Sequence, residues 1–125
     1  MDFRLTSLAG LADDIRSGRI GAREVMAHCL ERIESLNPTL NAFVALDPER
    51  AMDSAAQVDT AVASGQETRP LAGIPLAVKD TEDASGFLTT TGSWVVAAAD
   101  PASTDSILVA RLKAAGCIVV GKTNT

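Results

Sequence analysis

The amino-acid sequence predicts an α/β fold in which helices open the chain and the first βαβ part of a mixed or parallel sheet follows. Three observations predict it. Apolar residues recur at helical spacing through residues 1–65. The short apolar run Leu76-Ala-Val78 stops at Lys79-Asp80. After Asp100-Pro101, a capped helical segment leads into the continuous apolar run Cys117 to Val120. Strand, helix and strand in that order imply a parallel pair with a right-handed crossover.

Each element has its own signal. Ser7 is an N-cap, Leu8, Leu11, Ala12 and Ile15 follow at i, i+3, i+4 and i+7, and Gly18 closes the segment. A second helix begins near Ala22, carries Val25, Cys29, Ile33 and Leu36 on one face, and is expected to stop at Asn37-Pro38. Ala42 to Leu46 reads as either a strand or a packed loop. Asp47-Pro48, an N-cap with proline at the first helical position, starts a third helix running through Ala51, Ala55, Val58 and Val62 to Ser64-Gly65. Gln66 to Arg69 is a polar linker, and Pro70 to Pro75 delivers the chain into the buried strand Leu76 to Val78. A polar loop spans Thr81 to Ser93. Trp94 is expected in the core. Ser103 or Thr104 should cap the next helix, with Ile107, Leu108 and Leu112 inward and Arg111 and Lys113 in its last turns. Gly116 ends it, Cys117 to Val120 is strand, and Gly121 to Thr125 trails off. Residues 1–65 are thus a helical opening and 66–125 the start of a sheet.

Composition bounds the function. A chain of 125 residues allows one domain or a piece of a larger one. With 46% hydrophobic residues it is not disordered, and with 3% aromatic residues its core must be aliphatic. Eleven basic against 16 acidic residues give a formal charge of −5, spread along the chain. Without a basic patch or aromatic platform, no nucleic-acid partner is expected. The longest apolar run, Trp94 to Ala99, is far short of the roughly 20 residues that span a bilayer, so no membrane partner is expected. No basic segment with an apolar stretch behind it opens the chain, and a cytoplasmic location is expected. Cys29 and Cys117 read as buried free thiols. His28, the single histidine, has no second ligand cluster, so no metal is expected.

Gly116-Cys-Ile-Val-Val-Gly121-Lys122-Thr123 satisfies the spelling of a phosphate-binding loop. Its physics differs, because that loop runs from a strand through a flexible turn into a helix N-terminus. Here a helix comes first, and the variable positions are apolar residues that favour strand.

Lys79 is the residue that calls for chemistry. It stands at the carboxyl end of what should be an interior parallel strand, the end at which open α/β sheets bind ligands. A lysine buried there must be paired or neutral, since desolvation disfavours the ammonium. A neutral one serves as a general base. Pairing with Asp80 or another carboxylate is the alternative, and periodicity favours neither.

Around it, Leu71-Ala-Gly-Ile-Pro-Leu-Ala-Val-Lys79-Asp80, then Thr89-Thr-Thr-Gly92-Ser93, then Asp105 through Gly121-Lys-Thr-Asn124 closely resemble the amidase signature family. The helical opening, with Glu31-Arg32-Ile33, Leu36-Asn37-Pro38 and Asn41-Ala42-Phe43, is similar to that family's usual start. The resemblance implies the opening part of an amidase-signature fold and hydrolysis of carboxamides through a Ser–cis-Ser–Lys relay, without metal or organic cofactor. It places the family's catalytic lysine on Lys79. The bridging and nucleophilic serines belong to a Gly/Ser-rich segment downstream of the Gly-Lys-Thr-Asn motif, and no counterpart lies within these residues. Gly92-Ser93 lacks the glycines of an oxyanion turn, and Ser103 and Ser106 read as cap residues. The expectation is therefore a small-molecule amide substrate for a longer parent protein and no hydrolysis by the 125 residues alone. A non-catalytic interaction module, or part of the amidase subunit of a tRNA-dependent amidotransferase, is the alternative. Asp80 is expected to orient the strand end or its loop through hydrogen bonds, with direct chemistry as the alternative. Gly92 and Ser93 line a pocket floor or form a plain turn. Lys122 and Asn124, at the end of the second strand, either face the same site or take capping, solvent-exposed positions, the latter being the default.

Overall fold

A computed structural model describes residues 1–125, the side chain of Ala98 excepted. The elements run α1 (Leu8–Arg16), α2 (Ala22–Leu40), β1 (Phe43–Leu46), α3 (Pro48–Ala63), β2 (Pro75–Lys79), α4 (Ile107–Ala114) and β3 (Ile118–Thr123). The sheet order is β1-β3-β2, with β3 parallel to β2 and antiparallel to β1. The mixed α/β architecture is the expected one. Its central strand is β3, however, so β2 is an edge strand rather than an interior one.

Local chemistry sets most boundaries. Ser7 accepts from the Gly10 N–H and caps α1, and Gly18 follows the helix at a positive φ. Asp47 accepts from the Arg50 N–H and caps α3 ahead of Pro48. Gly21 caps α2 without a side chain, and Asp59 of α3 supplies the acceptors, taking the Ala22 N–H at 2.6 Å and the Arg23 N–H at 3.1 Å. No local pattern could have shown that cap, since its acceptor lies 37 residues away.

Three boundaries differ from expectation, the first being strand β3, which starts at Ile118 and continues through Gly121 and Lys122 to Thr123 instead of ending at Val120. Helix α2 runs through Pro38 to Leu40. The Asn37 side-chain amide donates to the Phe43 carbonyl at 3.0 Å and accepts the Phe43 N–H at 2.8 Å. These two bonds hold Asn37 in place against the proline's local preference, and Asn41 ends the helix in the left-handed region. Helix α4 starts at Ile107 with Ser106 as its cap, not at Ser103 or Thr104. Gly86 donates to the Ala102 carbonyl and Ala102 to the Phe87 carbonyl, which keeps this stretch extended and delays the helix. Its inward residues are Val109 and the half-buried Leu112, while Ile107 and Leu108 are exposed.

The core has two parts. The larger joins Leu11, Ile15, Val25, Met26, Ile33, Ala51 and Ala55 of the helices to Ile74, Ile118 and Val120. Fully buried Val, Ile, Leu or Met side chains each stabilise by about 1.5–3 kcal/mol. The smaller joins Val78, Ala84, Phe87 and Val109 on the other face of the sheet. Trp94 is not core: it is 93% exposed, with Val95 beside it similarly open. The segment forms a turn and one 3-10 turn at Val96–Ala98, too short to present an inward face. Cys29 is half-buried and Cys117 buried, both free thiols pushed up by desolvation. The His28 and Phe3 rings meet edge to face, with centroids 5.1 Å apart. Among the described residues, no helix is long and apolar enough to cross a membrane, and no group of three or more metal-binding side chains gathers.

Candidate active site

The carboxyl ends of β2 and β3 lie side by side, with Val78 opposite Lys122 and Lys79 opposite Thr123. Each end carries a lysine, and the two have opposite surroundings. Lys122 is 0% exposed and Asp80, one residue past Lys79, is 2% exposed. The Lys122 ammonium has three N–H donors and three acceptors, each at 3.0 Å: the Asp80 carboxylate, the Leu88 carbonyl and the Thr89 hydroxyl. Asp80 also accepts the Thr90 N–H at 3.2 Å and the Thr90 hydroxyl. Burial pushes the Asp80 carboxyl up, but the Thr90 hydroxyl, the Lys122 ammonium and the Thr90 N–H outweigh it and hold the group below the usual aspartate range.

The backbone reinforces this knot. The Asp80 N–H donates to the Thr123 carbonyl, and the Asp80 carbonyl accepts from the Thr91 N–H. Thr91 and Gly92 both have positive φ, and the Ser93 N–H donates to the Thr90 carbonyl, which closes a hairpin-type turn. A β-branched residue seldom adopts such a conformation, and the Asp80 contacts to Thr90 and Thr91 hold it there. Asp80 therefore orients the loop, as expected. Gly92 and Ser93 form a tight turn with Gly92 exposed.

Lys122 is buried at the strand end, against the default expectation of a capping, solvent-exposed lysine. Strand β3 holds one extra residue against β2, since Leu76 faces Val119 while Ala77 faces Gly121. A bulge of this kind sends the following side chain to the opposite face. It turns Lys122 toward Val78, Asp80 and the loop, inside the protein. The phosphate-loop spelling is strand from Ile118 to Thr123, and Gly116, at φ +110°, follows the end of α4. Gly121, next to Lys122, lets β1 approach closely, since a Cβ there would overlap the Ala45 carbonyl oxygen.

Lys79 is exposed, on the sheet face opposite Val78 together with the exposed Ala77. None of the ion pairs among the described residues involves it. Asp80, the carboxylate next to it in the chain, is engaged elsewhere. A cleft of about 590 Å³ between α3 and α4 is lined by Arg50, Arg69, Lys113 and the Gly116–Val119 entry to β3, at the amino end of that strand and away from Lys79.

A three-stranded α/β scaffold with one free lysine and one saturated lysine at neighbouring carboxyl strand ends defines the structural class. The particular family follows from comparison with known proteins. The amidase family model matches residues 24–125. A glutamyl-tRNA(Gln) amidotransferase chain of Bdellovibrio bacteriovorus is 40% identical over 124 residues, 99% of this chain and 25% of that protein. A putative amidase, AmiA2, of Mycobacterium bovis is 42% identical over 98% of this chain and 25% of its own length. The native peptide amidase of Stenotrophomonas maltophilia superposes with a TM-score of 0.86 at 34% identity, over 98% of this chain and 25% of that one. Fatty acid amide hydrolase superposes at 0.87 with 20% identity over 94% of this chain and 21% of that one, a likeness of fold alone. The chain belongs to the amidase signature family. It spans about a quarter of the length of the curated relatives it matches.

Proposed function

We propose that this chain is the opening part of a single amidase domain and contributes Lys79 as the proton acceptor in carboxamide hydrolysis. One observation carries the reading. Of the two lysines at the carboxyl strand ends, Lys122 has every donor committed, whereas Lys79 is open to solvent and free of a carboxylate. A base needs a lone pair that can reach its proton, and of these two only Lys79 is free to offer one. In the relay that the family resemblance implies, neutral Lys79 takes a proton from a bridging serine, which takes one from the nucleophilic serine. The nucleophile's oxygen then adds to the amide carbon. The amine leaves with a proton, and water cleaves the acyl-enzyme. Residues 1–125 hold no counterpart of those two serines, so hydrolysis is proposed to require residues beyond these. The 125 residues alone are expected to show no turnover.

The test is a graft in which residues 1–125 replace the matching quarter of the Stenotrophomonas peptide amidase. Amide hydrolysis by the graft, lost on Lys79→Ala, supports the reading, and turnover unchanged by Lys79→Ala refutes it. Turnover by the 125 residues alone would refute the proposed division of the site. A second reading, that the parent is the amidase component of a tRNA-dependent amidotransferase, is favoured by the relative that is 40% identical over nearly the whole chain. It uses the same lysine. Rescue of a strain depleted of its own amidotransferase component, by a graft into that component, distinguishes the two.

A further inference from the structure

Lys79 and Asp80 are adjacent in sequence, and their side chains leave the strand end in opposite directions, Lys79 exposed and Asp80 buried. Here the carboxylate is turned inward and held by Lys122, which reaches it only because the extra residue in β3 re-aims its side chain. We propose that Lys122 is a positioning residue for Lys79. By engaging the Asp80 carboxylate within the protein, it keeps that charge off the neighbouring ammonium and fixes the strand end from which Lys79 projects.

Other charges near this strand do not take over that task. Helix α2, packed against β2, carries Arg23, Glu24, Glu31, Arg32 and Glu34, all on exposed positions. Behind Val78, α4 carries the exposed Arg111, and Lys113, which pairs with Asp105 at 2.7 Å. The turn after Lys79 adds Glu82 and Asp83, and the Glu82 N–H donates to the Lys79 carbonyl. Asp80 is therefore the carboxylate whose release would act on Lys79 most directly. Without Lys122, a buried aspartate bonded only to Thr90 would swing toward water and meet the ammonium next to it. A carboxylate that close favours the charged ammonium and is expected to cost about a tenfold loss of reactive free amine.

The test uses the 125-residue chain and needs no catalysis. The sequence contains three lysines, Lys79, Lys113 and Lys122. Acetylation by dilute acetic anhydride at fixed pH, read peptide by peptide by mass spectrometry, gives each rate relative to the Met1 amine. In the unsubstituted chain Lys79 should react readily and Lys122 should not. Lys122→Met should slow Lys79 about tenfold, and adding Asp80→Asn should restore the rate. An unchanged Lys79 rate in folded Lys122→Met, or a loss that Asp80→Asn leaves in place, overturns the proposal. Asp80→Asn alone provides an independent check should Lys122→Met not fold. Because the carboxylate is already occupied, this variant should leave the Lys79 rate within about twofold, and a tenfold rise would show Asp80 acting on Lys79 directly and overturn the proposal. The importance of Lys122 for turnover rests on the reading of Lys79 as base. The acetylation result does not, so failure of the graft and failure of this experiment remain distinguishable.

Discussion

Lys122→Met should be among the most damaging single substitutions in the chain. The side chain is 0% exposed and its partner Asp80 2% exposed, with three acceptors at 3.0 Å. Methionine has similar length and an adaptable apolar stem, so the cavity contribution is small. What remains is electrostatic. The substitution leaves a buried carboxylate with only the Thr90 groups, and it strips the Leu88 carbonyl and Thr89 hydroxyl of their donor. Removing one member of a buried ion pair costs about 3–5 kcal/mol. Folded domains hold about 5–15 kcal/mol in total, so a substantial fraction of the stability should go.

Urea unfolding followed by far-ultraviolet circular dichroism measures the loss, as a lower midpoint at unchanged slope. Acid supplies a second signature. The folded Asp80 carboxyl lies below its ordinary value of 3.8, because the Thr90 and Lys122 contacts overcome its burial. A depressed folded value means that its contribution is fully present above about pH 4 and is lost as pH falls through the folded value. The gap between the unsubstituted chain and Lys122→Met should therefore narrow in acid. A loss below about 1 kcal/mol, the range of exposed pairs, or a gap that ignores acid would refute the assignment of a buried, desolvated pair.

Gly121→Ala should separate β1 from β3, because its Cβ would overlap the Ala45 carbonyl oxygen and stand 2.9 Å from Leu46 Cδ2; a loss of about 2–3 kcal/mol in the same urea experiment is expected, and a neutral result would refute the register. Asn37→Ala removes both bonds to the Phe43 backbone and should cost about 1–3 kcal/mol, with faster amide exchange at Phe43, whereas unchanged protection would show that the proline-containing turn stands without them. Trp94, the single tryptophan, should emit as a water-exposed indole and be readily quenched by acrylamide, and a blue-shifted, protected emission would contradict its 93% exposure.

Much of the fold is legible in the sequence because its boundaries are local. Ser7, Asp47-Pro48 and Gly18 act within one turn of where they stand, and helical spacing picks out Leu11, Ala12, Ile15, Ala51 and Ala55, all buried. The failures share a cause, which is a partner outside the local pattern. Phe43 holds Asn37 within a helix that Pro38 alone would stop. The pairing of 86–87 with Ala102 displaces the start of α4, and the apolar face expected of Ile107 and Leu108 moves with it. At the site, position at a strand end singles out Lys79, but the strand is an edge. The orienting part played by Asp80 is the expected one. Lys122 departs from expectation because solvent exposure is the ordinary state of a lysine, and only a bulge in the pairing of two strands far apart in sequence reverses it.

That bulge also explains how two adjacent strand ends can each carry a lysine without self-repulsion. With unbroken alternation, Lys122 would share the face of Ala77 and Lys79, and two ammonium groups would stand side by side there while Asp80 was left buried without its cation. The extra residue in β3 puts the lysines on opposite faces. Lys122 and Asp80 then neutralise each other inside the protein, where the pair fixes a loop that includes a strained threonine. Lys79 is left on the open face with no carboxylate of its own. The stability of the pair and the availability of Lys79 thus have the same structural origin. A substitution that straightens β3 should disturb both at once, whereas one that loosens the helical core at Ile15 or Met26 should lower stability and leave the acetylation rate of Lys79 in the folded chain unchanged.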